Sequence, residues 1–261
     1  MIAVVAGIYD SPELYELTCA YRDIRAEVNA LRRWFTLRSE PVRTVLELAA
    51  GPAEHARELA ARGFCVTALD LNPAMCSWAR SQAETAGVDL EVIQADMRTF
   101  DTPRRFDAAI TMLNSVCHLM TLPDLVTHLR AVAAALADDG LYIVELAHPA
   151  DYLAPSPRTS SEWVTETAGR RVSVRWGGPA DRIDPVTQVT REHVMVRVRD
   201  PDGSVRTATD VVPNRFWTAT EIEAGIRLAG GLDEVARYGS FEDDALEDPA
   251  AWRMIYILRR T

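Results

Sequence analysis

Two periodicities alternate along this chain. Leu14, Leu17, Tyr21, Ile24, Val28, Leu31 and Phe35 recur at steps of three and four, the spacing of one helix face. Ser11 and Pro12 precede them as a cap and a first-turn proline, so a single amphipathic leading helix is predicted. From Thr44 the pattern changes to short apolar runs. Val45 to Leu48, a run ending at Asp70, LEVIQ ending at Gln94, Ala108 to Leu113, and LYIVEL ending at Leu146 read as buried strands. Helical stretches lie between them, ended by Gly63 and Gly87, opened by Asn72-Pro73, or running from Thr121 to Leu136. Strands and helices in alternation call for a parallel sheet with right-handed crossovers. Ligands of such a sheet bind at the carboxyl ends of its strands.

After Asp151 the texture is different. A Pro/Ser loop covers 154–161, and then WVTET, RRVSVRW, TQVTREHVMVRV and SVRTATDVV alternate polar and apolar residues between turns. That pattern predicts an inserted antiparallel sheet of about four strands over roughly 160–213. Thr218 and Glu221 form a capping box at the start of a last helix, which Gly230-Gly231 ends. Two closing strands follow, one near Asp233 to Tyr238 and one over WRMIYILRR, with the acidic FEDDALEDP between them as a solvated loop. The expected division is a helical cap over 1–40, a core from 41–150 and 214–261, and an insert over 151–213 that roofs an acceptor pocket or pairs subunits.

The stretch from Thr44 to Asp70 organises the chemistry. A strand, a turn on Gly51 and Pro52, a helix and a second strand ending in an acid make half of a nucleotide-binding βαβ unit. No second or third glycine follows Gly51, so the dinucleotide fingerprint is missing and pyrophosphate is a poor guest. Glu47 adds a negative charge at the strand's end, which suits the cationic amino group of an amino acid. Glu47, Ala49, Gly51 and Ala53 resemble the first motif of the class I S-adenosylmethionine-dependent methyltransferases, with alanine at two of the usual glycine positions. Q-A-D-M-R, with Asp96 and Met97, is similar to the family's third motif, and N-S-x-x-H, with Asn114, Ser115 and His118, is similar to its small-molecule N-methyltransferases, including those that act on amino sugars and simple amines.

The resemblance implies an α/β Rossmann-like sheet with an inserted antiparallel sheet, S-adenosyl-L-methionine as cofactor, and direct methyl transfer. It implies that Glu47, Ala49 and Gly51 hold the amino-acid end, Asp70 the ribose, and Leu71, Asp96 and Met97 the adenine. Leu113, Asn114 and His118 are expected at the reacting edge, with His118 able to take a proton from an incoming nucleophile. The leading segment is expected over the cofactor, with Tyr9 and Tyr15 near the methyl group and Arg22 reaching the cofactor carboxylate. Ser115, His148, Trp163, Arg215 and Trp217 are the candidate acceptor contacts. An amine acceptor is favoured, with a hydroxyl or a peptide amino terminus as alternatives.

Composition narrows the partners. The chain has 261 residues, 48% hydrophobic and 25% charged, with a formal net charge of -10. No basic excess is available to displace counterions from a nucleic acid, and no apolar run reaches about 18 residues, so no membrane span is expected. The start lacks a basic leader, which makes the expected location cytoplasmic. Cys19, Cys65, Cys76 and Cys117 are scattered, so buried reduced thiols are expected, with no disulfide and no metal site. A small-molecule acceptor and a homodimer complete the expectation. Its rivals are a nicotinamide oxidoreductase and a non-catalytic protein that binds the same cofactor.

Overall fold

The computed structural model describes residues 2–102, 104–153 and 160–261. In chain order the elements are β1 (Ile2–Ala6), α1 (Pro12–Thr18), α2 (Ile24–Phe35), β2 (Thr44–Leu48), α3 (Glu54–Ala61), β3 (Cys65–Asp70), α4 (Pro73–Ala86), β4 (Glu91–Gln94) and β5 (Phe106–Thr111). A 3₁₀ turn over Ser115–His118 leads to α5 (Leu122–Ala135), β6 (Leu136–Ala147) and α6 (Ala150–Leu153). Then come β7 (Ser160–Thr167), β8 (Arg170–Gly177), β9 (Val189–Arg199), β10 (Val205–Arg215), α7 (Ala219–Ala229), β11 (Leu232–Tyr238) and β12 (Arg253–Arg260). The Pro/Ser loop expected over 154–161 lies, through residue 159, outside the described residues.

Two compact units result. One joins residues 1–23 to 150–216, the other joins 24–149 to 217–261. The larger unit is built on a seven-stranded sheet in the order β11-β12-β6-β5-β2-β3-β4, in which β2 to β6 run parallel and β12 is antiparallel to both its neighbours. Successive residues of the buried strands face opposite sides. Val45, Ile110, Leu141, Ile143, Ile255 and Ile257 pack with α2 and α3 through Val28, Leu31, Trp34, Ala56 and Leu59. Leu46, Leu48, Tyr142, Val144, Leu146 and Tyr256 pack on the other side with α5 and α7 through Leu125, Leu129, Val132, Ile222 and Ile226. The chain moves from β2 outward to β4 and then crosses to β5 on the other side of β2, which makes the β2/β5 boundary the switch point, the place where sheets of this kind bind ligands.

In the smaller unit the expected four antiparallel strands are present, and β1 adds a fifth, parallel to β10. The inner face of this sheet carries Val172, Val174, Val194, Val196, Val198 and Val212, packed with Ile8 and Leu14.

Three local expectations are corrected. The leading helix is two helices, broken between Thr18 and Ile24, and α2 falls in the larger unit. Ser11 makes no side-chain cap to α1, whereas Asn72, Thr121 and Thr218 cap α4, α5 and α7 as helix-start residues do. The acidic loop before β12 is anchored rather than merely solvated. Phe241 and Leu246 are buried, and Asp243 Oδ1 accepts the Trp34 indole N–H at 2.6 Å.

Candidate active site

The turn after β2 carries the alanine-substituted motif. Ala49, Gly51 and Ala53 adopt positive φ of 51°, 53° and 60°, a left-handed conformation that costs an L-residue about 1–2 kcal/mol. Hydrogen bonds hold it: Ala50 N to Leu69 O at 3.0 Å, Ala53 N to Ala50 O at 2.8 Å, and Gly51 N to Asp70 Oδ2 at 2.7 Å. Asp70 Oδ1 accepts Asn72 N at 2.8 Å. One carboxylate therefore ties the β2 turn to the start of α4. The Leu71 amide also favours this carboxylate, which leaves part of its roughly four acceptor positions for a ligand. Burial pushes the Asp70 carboxyl upward, against the pull of the Asn72 and Gly51 amides.

Glu47 has partners that the sequence did not announce. Its Oε2 accepts Ala56 N in the first turn of α3 at 2.8 Å, and its Oε1 lies 3.6 Å from His55 Nδ1. His55 Nε2 is 2.7 Å from Glu27 Oε2 on α2. All three side chains are buried. The expected free carboxylate facing a ligand's amino group is thus a carboxylate committed to a buried Glu27–His55–Glu47 cluster beneath the turn. Burial opposes the histidine's charge, but the hydrogen bonds and attraction of Glu27 and Glu47 outweigh it and push His55 up to about 9.

The other expected residues of the larger unit fall at the carboxyl edge of its sheet. Strand register aligns Asp70 with Gln94 and Leu48 with Leu69. Leu71, next to Asp70, is 63% exposed, a large apolar side chain open to a ligand. Met97, which follows β4, is buried in the core. Asp96 accepts Arg98 Nη2 at 2.7 Å and Arg98 N at 2.8 Å, so its carboxylate is already engaged, and Arg98 holds it below the usual range. Leu113 and Asn114 are left-handed, with φ of 58° and 60°. Asn114 Oδ1 accepts Ala147 N at 3.0 Å, joining β5's end to β6's. Ser115 Oγ donates to Met112 O at 2.8 Å. His118 is half-buried on the 3₁₀ turn. His148 Nε2 donates to Leu246 O at 3.0 Å, which ties it to the acidic loop.

Trp217 is buried, and its indole N–H donates to Val116 O at 3.2 Å. Tyr9, Tyr15, Arg22, Trp163 and Arg215 belong to the smaller unit. There the Tyr9 and Tyr15 rings pair at 5.3 Å, and Arg22 is buried. Trp163 Nε1 donates to Thr18 O at 3.0 Å, and Arg215 Nη2 donates to Gln188 Oε1 at 3.5 Å. Cys65 is exposed, against the expectation of four buried thiols. Among the described residues no group of three His, Cys, Asp or Glu side chains is arranged to hold a metal ion, and no helix is long and apolar enough to cross a membrane.

Sequence reasoning missed two buried polar groups beside this edge. His128 of α5 hydrogen-bonds Met97 O at 2.8 Å through Nδ1 and Tyr142 Oη at 2.7 Å through Nε2, and burial lowers it to about 4. Its place with Leu125, Leu129 and Val132 on the apolar face of α5 was the available signal. Glu145, fully buried on β6, lies with its Oε1 2.9 Å from Arg253 Nε. An acid inside an apolar run was the only hint of it.

Residues 45–140 match the family model described as a methyltransferase domain. The chain carries a methyltransferase domain. It is 27% identical over 227 residues to dTDP-3-amino-3,4,6-trideoxy-alpha-D-glucopyranose N,N-dimethyltransferase of Streptomyces venezuelae, covering 85% of this chain and 90% of the relative. The fold matches the crystal structure of Streptomyces venezuelae DesVI with a TM-score of 0.79 at 23% identity, over 95% of this chain and 98% of that one. It also matches the sugar N-methyltransferase KedS8 from Streptoalloteichus, with a TM-score of 0.73 at 23% identity, over 98% and 94% of the two chains.

This methyltransferase is S-adenosylmethionine-dependent, and its donor set fits that cofactor. A carboxylate with free lone pairs at Asp70 suits a ribose diol, and the exposed Leu71 offers an apolar surface to a purine. The edge lacks the succession of glycines that brings backbone amides onto a pyrophosphate.

Proposed function

We propose that this methyltransferase methylates the amino nitrogen of a nucleotide-linked amino sugar. The observation that carries the reading is its likeness to the dTDP-amino-sugar N,N-dimethyltransferase, which runs through both compact units rather than through the methyltransferase domain alone. The cofactor supplies a methyl group already activated on a sulfonium sulfur. The protein's tasks are then alignment of the acceptor and exclusion of water.

In this reading Asp70 binds the ribose hydroxyls, and Leu71 and Met97 contact the adenine. Asp96 reaches the adenine amino group only by sharing its carboxylate with Arg98. Leu113 and Asn114 shape the edge where the amine enters. His118, on the turn that follows them, takes the proton the amine must lose. The acceptor is a small molecule rather than a nucleic acid, in keeping with the net charge of -10, and the reaction is assigned to the cytoplasm.

The test is incubation with S-adenosylmethionine and a panel of dTDP-amino sugars, their hydroxyl analogues and amino-terminal peptides, read by mass spectrometry. The reading expects one or two methyl groups on the sugar nitrogen. Methylation of the hydroxyl analogue or of the peptide alone would refute it.

A further inference from the structure

We propose that Glu145 and Arg253 are positioning residues of the methyl-transfer edge: Glu145 holds the left-handed Leu113–Asn114 pair in place, and Arg253 makes its buried charge tolerable. This rests on the reading of Leu113 and Asn114 as cofactor-edge residues. The side chain of Glu145 accepts Leu113 N at 2.8 Å through Oε2. Its main-chain carbonyl accepts Asn114 N at 3.2 Å. One residue thus takes both successive amides of the left-handed pair, and in each trans peptide the carbonyl opposite the captured N–H turns away from β6.

Leucine gains nothing from a left-handed backbone, and neither residue is glycine. A local sequence preference therefore does not explain the conformation; the contacts to β6 do. Nor does the sheet require an acid at this position. Glu145 pairs across the sheet with Ile255, in a strand that is otherwise apolar from Leu141 to Ala147. A buried carboxylate there is costly unless it is paired and hydrogen-bonded. Arg253 supplies the opposite charge from the diagonal position on β12, where it registers with Ala147, and its guanidinium lies 4.6 Å from the Trp252 ring centroid. The acid, its counter-charge and the two amides form one unit whose exposed product is the shape of the Leu113–Asn114 turn.

The test separates positioning from stability by removing both charges together, since matched apolar replacements of a buried pair are often nearly neutral for folding. In the full chain, Glu145→Leu with Arg253→Met removes the acceptor, and Glu145→Gln with Arg253→Met keeps one. Binding of S-adenosylhomocysteine is measured by calorimetry beside urea unfolding. The first double variant should bind about ten-fold more weakly or worse while unfolding near the wild-type midpoint, because the Leu113 amide, without its acceptor, lets the turn leave its binding shape. The second should stay within about three-fold of wild type. If the first does not fold, Glu145→Asp withdraws the acceptor by one methylene and keeps the charge, and it should weaken binding likewise. Equal affinity in all variants, or affinity that falls only in step with stability, overturns the proposal. Wild-type protein that fails to bind would instead overturn the cofactor reading beneath it.

Discussion

Raising the pH from about 6 to 9.5 should destabilise this protein through a single buried histidine. His55 lies between Glu27 and Glu47, and its folded value is raised from 6.5 to about 9. Between those values the folded chain holds a proton that the unfolded chain has released. Stability from this group is therefore complete below about pH 6.5 and is lost as the pH climbs through about 9. A shift of that size corresponds to about 3 kcal/mol in all, with a steepest slope of about 1.4 kcal/mol per pH unit. Urea unfolding followed by tryptophan fluorescence, at half-unit steps across this window, measures the slope directly. His55→Gln should be less stable than wild type at pH 6, because it leaves two buried carboxylates facing each other without their shared cation. It should also lose the slope. Parallel decline of wild type and variant from pH 6.5 to 9 would refute the claim that His55 is held protonated by the two glutamates.

His128 predicts the opposite limb. Its folded value of about 4 lies below the ordinary 6.5, so its contribution of roughly 3 kcal/mol is present above pH 6.5 and disappears as the pH falls through 4. His128→Gln should flatten the acid side of the stability profile, and an unchanged acid limb would contradict the buried neutral imidazole. Ala49→Gly should leave stability unchanged or raise it by up to about 1 kcal/mol, because relief of the left-handed alanine exceeds the added chain entropy of glycine. A loss of more than about 1 kcal/mol in urea unfolding would show that the turn does not adopt that conformation in solution.

Legibility followed the range of the interactions. The strands β2 to β6, the turn at Gly51 and the acid at Asp70 were readable because each depends on local pattern: apolar runs, a glycine turn, a strand end. The break in the leading helix was hidden because Leu17, Tyr21 and Ile24 keep the helical spacing across it. Asp23, just before α2, was the unread start signal. β1 escaped because its partner, β10, begins about two hundred residues later at Val205. The site divided in the same way. Asp70 and Leu71 could be placed from their strand. The true partners of Glu47 and the work of Glu145 depend on Glu27, His55, Leu113 and Arg253, and only the folded sheet brings these together. The burial of Trp217 could not be read locally, because an aromatic near a capping box carries no sign of it.

Calorimetric titration of S-adenosylhomocysteine into the full chain and into Asp70→Ala probes the cofactor site without any acceptor. Wild type should show saturable one-site binding, weakened about ten- to hundred-fold in the variant, as expected when a charged acceptor worth about 1.5–3 kcal/mol is lost. Equal affinity in the two proteins, or no binding by folded wild type, would contradict the assignment of the cofactor to the turn between β2 and α3.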